Sequence, residues 1–302
     1  LLTLYLRCCW LSFPWYTRNS VPDGRRWNSM KKRLTIINRI LEVILWIFSI
    51  VTIYPMLMVV LTSFKSKGEA SYLNISLPTE WHFENYVTVI EKDFIQSLGN
   101  SVFITFISVA LIVALSAFMS FIIARRDTKG CRITYKIITL GIIAPFTALP
   151  TIQLLQKLGL YGSRIGLCFV YAALYMPFTT MMLSGFIKGI PRELDEAAVM
   201  DGAIGGELFV KVVLPLLKPV LATTGVLNFM WVWNELQIPM YLLNSSSKWT
   251  LPLSVYNFYG QFSRSWNLVC ADVVLVSLPV IIVYIFAQKW VIAGMTAGAV
   301  KG

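Results

Sequence analysis

The sequence predicts an all-α integral membrane protein of six transmembrane helices, with a cytoplasmic helical segment between the fourth and fifth. Three observations carry that expectation. The 302 residues are 57% hydrophobic and only 14% charged, and the mean hydropathy of +0.68 is far above that of a soluble domain. Six stretches, near residues 40–64, 100–124, 137–155, 166–186, 220–243 and 269–288, are apolar over a length close to the roughly 20 residues that a helix needs to cross a bilayer. The net charge of +11 is unevenly placed. An even number of spans puts both termini on one side. That side holds Arg25, Arg26, Lys31, Lys32, Arg33 and Arg39, then Arg125, Arg126, Lys129, Arg132 and Lys136, then Lys188, Arg192, Lys211 and Lys218, with Lys289 and Lys301 in the tail. The opposite side has only Lys65, Lys67, Lys92, Lys157, Arg164, Lys248 and Arg264. The positive-inside rule therefore places both termini in the cytoplasm. The basic balance is a topology signal, which argues against a nucleic-acid footprint.

Taken in order, the elements begin with residues 1–29, an apolar run broken by Arg7 and Pro14 and too short for a seventh span. Met30-Lys31-Lys32-Arg33-Leu34 reads as a start. The first 29 residues are expected to be a non-native or disordered extension, with an interfacial cytoplasmic segment as the alternative; residues 30–302 form a single transmembrane domain. The loop from Lys65 to Leu98 carries Glu69, Glu80, Glu84, Glu91 and Asp93. Its Asn85, Tyr86, Phe94 and Leu98 fit either a short helix at the outer surface or a solvated connector. Pro145, Pro150, Pro177, Pro239 and Pro279 fall within spans three to six, where each removes a ladder hydrogen bond and bends the helix. Gly141, Gly166, Gly185 and Gly225 permit close helix contact. The five cysteines, Cys8, Cys9, Cys131, Cys168 and Cys270, have no metal-type spacing with one another or with the single histidine, His82. They read as free thiols.

The fifth span is unusually polar: Asn228, Trp231, Asn234 and Glu235 precede Pro239. Carboxylates and amides are costly in lipid, so these face other helices or a wet cavity. Asn228 and Glu235 lie about two helical turns apart with Trp231 between them on one face. Aromatic rings beside amides and carboxylates suit sugars; interhelical hydrogen bonding, or an aromatic interface belt, explains the same residues.

Between spans four and five, Pro191 suits the first position of a helix. Glu193, Asp195 and Glu196 sit where the positive end of the helix dipole favours them. Ala197 and Ala198 let a partner approach closely. Gly202 can take positive φ and turn the chain. A second short helix is expected over 207–213, ahead of Pro215 and Pro219. The acidic residues Glu193, Asp195, Glu196, Asp201 and Glu207 outnumber the bases here, so anionic headgroups would repel the segment and a protein partner suits it better.

Glu196-Ala197-Ala198, three residues, Gly202, nine residues, Val212, one residue and Leu214-Pro215 resemble the EAA motif of binding-protein-dependent ABC importer permeases, with Val212 in place of Ile. Trp233-Asn234-Glu235 with Pro239 looks like the fifth-span pattern of the carbohydrate-uptake branch. The tail from Gly294 to Gly302 is similar to that of the six-span, maltose-type permease. The resemblance covers about residues 31–302. It implies a coupling helix in which Asp195, Glu196, Ala197, Ala198, Gly202, Leu214 and Pro215 meet an ATPase, and a C-terminal contact through Val300, Lys301 and Gly302. It further implies a second permease subunit, two ATP-binding subunits, an extracytoplasmic solute-binding protein, a carbohydrate substrate, no cofactor, and a bacterial cytoplasmic membrane. No Gly-x4-Gly-Lys-Ser/Thr run is present in the sequence, so ATP phosphates are not cradled by that route. The competing readings are an ion-coupled secondary transporter using Glu235, a scaffold whose acidic loop recruits a protein, and a permease for a non-sugar solute such as glycerol phosphate.

Overall fold

The computed structural model describes residues 24–259 and 265–299, with side chains for 38–259 and 265–288. Two units divide between Leu57 and Met58. The first contains most of α1 (Gly24–Ser63), which includes Pro55. Hydroxyls on this helix return to its own backbone: Ser49 Oγ donates to Leu45 O and Thr52 Oγ1 to Phe48 O, each at 2.9 Å. Such bonds satisfy polar side chains where lipid offers no partner.

The second unit opens with the loop that follows α1. Lys65 is buried, and its Nζ donates to Asn74 O at 2.8 Å, Asn74 Oδ1 at 2.7 Å and Ser76 Oγ at 3.0 Å. Three oxygens thus replace the hydration of a buried ammonium group. Short helices α2 (Lys67–Ala70) and α3 (Glu84–Val89) follow. Asn85 stitches the loop together, donating to Ser63 O at 2.9 Å and Lys65 O at 3.0 Å, and accepting from Asn267 at 2.8 Å. Beside it, His82 Nδ1 lies 2.7 Å from Glu84 Oε1, a hydrogen bond that raises the imidazole above its ordinary value. A kink at Lys92 and Asp93, the latter at φ 63°, leads into α4 (Ile95–Arg125).

The remaining elements are α5 (Lys129–Leu140), α6 (Ala148–Lys157), α7 (Arg164–Lys188), α8 (Glu193–Met200), α9 (Gly206–Leu216), α10 (Lys218–Asn234), α11 (Gln237–Leu242), α12 (Leu251–Ser254) and α13 (Trp266–Ala299). Among the described residues four helices are long and apolar enough to cross a membrane, within α1, across α3–α4, in α7 and in α13; the α9–α10 pair, bent by 78°, makes five if counted as one span.

The stretch expected as a third span is two helices, α5 and α6, separated by residues 141–147. A proline and a close helix contact mark the interruption. Pro145 lacks an N–H and disfavours helical backbone at the residue before it. At Gly141 a Cβ would stand 2.9 Å from Cγ of Pro177 in α7, so only glycine allows this approach. The stretch expected as the fifth span is also interrupted: α10 stops at Asn234, and Glu235 is extended at φ −72°, ψ 122°.

The second unit is organised by α4 and α7. One face of α4 buries Ser97, Ser101, Thr105, Ser108, Ile112, Ser116, Ser120 and Ala124, at spacings of three and four that keep them on one stripe. Small side chains let two backbones approach closely in a membrane. The hydroxyls then reach across: Ser116 Oγ donates to Met176 O at 3.3 Å and Ser120 Oγ to Thr180 O at 3.0 Å. Apolar clusters lie along the seam. One joins Ile104, Ile112, Leu167, Tyr171, Val232 and Leu242. Another joins Ala117, Leu183, Ile187, Phe209, Val213 and Leu217.

The seam predicts a size limit. Ser120→Leu should overpack it and destabilise the purified protein by about 1–3 kcal/mol, whereas Ser120→Ala should cost less than about 1 kcal/mol. Thermal unfolding in detergent, followed by exposure of the buried Cys168 to a thiol dye, would compare the two. Equal behaviour would show that the seam does not depend on side-chain size.

Candidate functional site

The segment after α7 stands at the end of α4 that carries Arg125. Pro191 precedes α8, whose first residue is Glu193; Glu193, Asp195 and Glu196 occupy its first turn, near the positive end of the backbone dipole. The helix ends at Met200, and the chain reverses through Gly202 at φ 90° and Gly205 at φ 60°, a region that L side chains avoid. α9 then runs to the 78° bend with α10.

Two contacts fix this segment to the helices behind it. Arg125, the last residue of α4, lies with Nε 2.6 Å from Asp195 Oδ2, an ion-pair contact outside hydrogen-bond alignment. Its Nη2 donates to Asp195 Oδ1 at 3.1 Å and its Nη1 to Ile190 O at 3.1 Å. The two side chains are only 11% and 15% exposed. One guanidinium thus holds both α8 and the chain leading into it, in the forked geometry that suits a carboxylate. Phe209 makes the second contact. It is buried in α9, with its ring centroid 4.8 Å from Phe118 and 5.1 Å from Phe121, both on α4. Glu207 and Lys211, one turn apart on α9, form an exposed ion pair.

This support leaves one side of α8 open. Ala198 is buried, while Glu196 and Ala197 are exposed. Leu194, Val199, Met200 and Ile204 are exposed as well, Met200 by 87% and Ile204 by 75%. Val212 and Leu214 are half-buried and Pro215 is exposed. Val300, Lys301 and Gly302 lie outside the described residues.

The polar residues of the fifth stretch separate into distinct environments. Asn228 is buried between helices, its Nδ2 donating to Thr179 Oγ1 at 2.9 Å and to Thr224 O at 2.7 Å. Asn234 is exposed and donates to Met230 O at 2.8 Å. Trp231 stands 5.6 Å from Tyr175 and 5.0 Å from Phe178, ring centroid to centroid, and is 36% exposed. Glu235 Oε1 accepts from the backbone N–H groups of Gln237 at 2.9 Å and Ile238 at 3.2 Å, and Oε2 accepts from the Tyr175 hydroxyl at 3.4 Å. The carboxylate therefore caps the start of α11. Because Glu235 lies beyond the end of α10, the two-turn spacing to Asn228 does not describe their relation. Tyr175 and Trp231 bring the aromatic face and the carboxylate together.

The sequence reading passed over Arg125 as a partner and Tyr175 as a wall of this aromatic group. Arg125 is 70 residues from Asp195 and reads as one more basic residue at a span end. Tyr171, Tyr175 and Phe178 recur at spacings of four and three, an aromatic stripe on α7 that could have been found.

Residues 27–297 match the family model of the binding-protein-dependent transport system inner membrane component. The chain belongs to this family. Among its relatives, a probable starch degradation products transport system permease protein (AmyC) of Thermoanaerobacterium thermosulfurigenes is 33% identical over 258 residues, covering 84% of this chain and 94% of the relative. The melibiose/raffinose/stachyose import permease protein MelC of Bacillus subtilis is 32% identical over 271 residues, covering 87% and 97%. The crystal structure of a bacterial ABC transporter involved in import of the acidic polysaccharide alginate contains a chain of similar fold, with TM-score 0.73 at 26% identity over 91% of this chain and 99% of that one. The family is one of membrane transport components, and the long apolar helices of this permease fit that role.

The Arg125–Asp195 pair sets a measurable expectation. Removing one partner of a mostly buried pair strands the other, with a penalty of about 2–3 kcal/mol when slight exposure is allowed for. In Asp195→Ala, amide exchange across 193–200 should accelerate by about 30-fold or more. Arg125→Lys should resemble the loss variant, since an ammonium cannot reproduce the forked contact. Unchanged exchange in both variants would show that α8 is held by Phe209 and Ala198 alone.

Proposed function

We propose that this chain is one permease subunit of an ATP-driven sugar importer, forming half of the translocation pathway and taking its drive through the segment from Glu196 to Pro215. The observation that carries the reading is the two-sided character of α8. It is braced from behind by Arg125 and Ala198, and it presents Ala197 and Met200 outward, with Ile204 exposed in the turn that follows, none of them covered by another described residue. A small, partly apolar and acid-flanked helix face outside the spans suits a groove in a second protein. Two ATP-binding subunits, a second permease and an extracytoplasmic binding protein complete the assembly. The family's dependence on a binding protein supports the last of these.

Topology follows from the basic residues: the end bearing Arg125, Lys188 and α8 is cytoplasmic, as are both termini, in a bacterial plasma membrane. Six spans result when the broken pair α5–α6 is the third and α10–α11 the fifth, since interrupted backbone is tolerated at membrane depth where protein surrounds it. Closure of the ATPase subunits displaces α8. Arg125 and Phe209 pass that displacement to the α4–α7 pair, and the bend between α9 and α10 turns it into tilt of α10, which carries Trp231. Trp231, Tyr175 and Phe178 then offer ring faces to a sugar while Glu235 stands ready to accept hydroxyl hydrogen bonds. Relatives that import oligosaccharides support this substrate class.

Two variants separate the functions. Ala197→Trp should insert normally yet lose copurification with the ATPase subunits and about nine-tenths of ATP-coupled uptake, because bulk is placed on the docking face. Trp231→Ala should keep that copurification and weaken sugar-stimulated uptake at least about tenfold. Measurements on reconstituted vesicles carrying the full set of subunits would read both. Normal uptake in Ala197→Trp would overturn the coupling assignment, and gradient-driven uptake by the isolated chain would overturn the importer class.

A further inference from the structure

Where α4 ends and α5 begins, a cavity of about 300 Å³ opens against the end of α7. That volume is at the small end of ligand sites, which run about 300–1,000 Å³. Arg126, Arg132, Lys188 and Arg192 line it, with Asp127 as its one carboxylate. Arg132 Nε is 3.0 Å from Asp127 Oδ1, and Lys188 Nζ lies 5.1 Å from the centre of the Tyr135 ring. The guanidinium groups of Arg126 and Arg192 make no hydrogen bond or ion pair among the described residues. Four cations thus converge on one concavity with a single counter-charge.

The surroundings are as telling as the charge. Arg125 and Lys188 end the two apolar spans of α4 and α7, so the cavity stands at the membrane boundary. Ile123, Ala124 and Tyr135 supply an apolar wall. Alongside, α5 is amphipathic: Lys129, Arg132 and Lys136 mark its polar side, whereas Ile133, Ile137 and Leu140, at spacings of four and three, are exposed by 58%, 63% and 64%. As the leading half of the broken α5–α6 span, this helix enters the membrane at that boundary with its exposed apolar side open to acyl chains. Basic concavities between helices at a cytoplasmic boundary suit anionic headgroups.

We propose that this cavity binds a phosphate anion, and that the phosphate is carried by an anionic phospholipid whose acyl chains run beside Ile133 and Ile137. Arg126 and Arg192 are the free donors to the phosphate oxygens; Lys188 and Tyr135 close the side. Arg192 immediately precedes α8, so an occupied site ties the headgroup layer to the base of the docking helix. The site needs only the membrane boundary at Arg125 and Lys188, and it is independent of which solute crosses.

Native mass spectrometry of the intact detergent-purified chain would test this with phosphatidylglycerol, phosphatidylcholine and inorganic phosphate as separate probes. The wild type should retain phosphatidylglycerol in preference to phosphatidylcholine. The double variant Arg126→Gln with Arg192→Gln should lower that retention about tenfold or more, while Lys129→Gln, a basic residue outside the cavity, should change it little. The charge-conserving pair Arg126→Lys with Arg192→Lys should keep most of the binding, which separates loss of charge from loss of fold. Equal losses in Lys129→Gln and the double variant would mean diffuse surface attraction and overturn the site. Millimolar phosphate binding without lipid retention would overturn the lipid as its source.

Discussion

Close approach of α4 and α7 is the constraint from which the rest of this molecule follows. In a bilayer, apolar side chains gain little by leaving lipid for one another, so helices stay together through close packing and polar contacts. The serine stripe from Ser97 to Ser120 provides both. A polar clamp closes each end of the seam. At one end Asn100 donates to Ser247 O and Trp249 O at 3.0 Å each and accepts from Arg164, the first residue of α7, at 2.8 Å. At the other, Arg125 holds Asp195 and Ile190. Both clamps use a residue of α4 to fix a loop that the helix itself does not contain.

Three carboxylates that are not exposed, Asp195, Glu235 and Asp272, are handled differently. Asp195 has a forked cation. Glu235 has backbone N–H groups and a phenol, with no cation within bonding distance among the described residues. Asp272, buried in α13, accepts from Ser254 Oγ at 3.4 Å through Oδ2, while Oδ1 has no partner among the described residues. The first is structural in character, since its charge is matched on the spot. The second leaves a half-buried acceptor beside the rings of Tyr175 and Trp231. The third meets no cation among the described residues and serves neither arrangement.

Much of this was legible in the sequence, for reasons that also mark where legibility stopped. The long apolar runs of α4, α7 and α13 are read directly from composition, because a bilayer tests hydropathy and length. The turn after α8 was readable from Gly202, since few other residues adopt its backbone. What hydropathy does not register is backbone continuity. Residues 137–155 carry no charge, yet Gly141 and Pro145 divide them, and Gly141 meets Pro177 on another helix. Likewise, the face shared by Asn228 and Glu235 assumed an unbroken helix, and Glu235 is the residue at which it breaks. Pairings distant in sequence were beyond reach altogether: nothing local to Asp195 names Arg125.

The chain between α8 and the bend at α9–α10 gives the spacing from Ala197 to Leu214-Pro215 a geometric meaning. Ala198 faces inward and Ala197 outward, a choice of one residue on a helix that turns about 100° per residue. Phe209, seated between Phe118 and Phe121, sets the origin from which the chain reaches back through Gly205 and Gly202 to α8. An insertion or deletion between Gly202 and Gly205 would fall outside both α8 and α9 yet shift α8 against its seat, changing which side chain stands outward. The number of residues between Gly202 and Gly205 is therefore a ruler for rotational phase: it sets at what angle α8 stands to the helix that follows it.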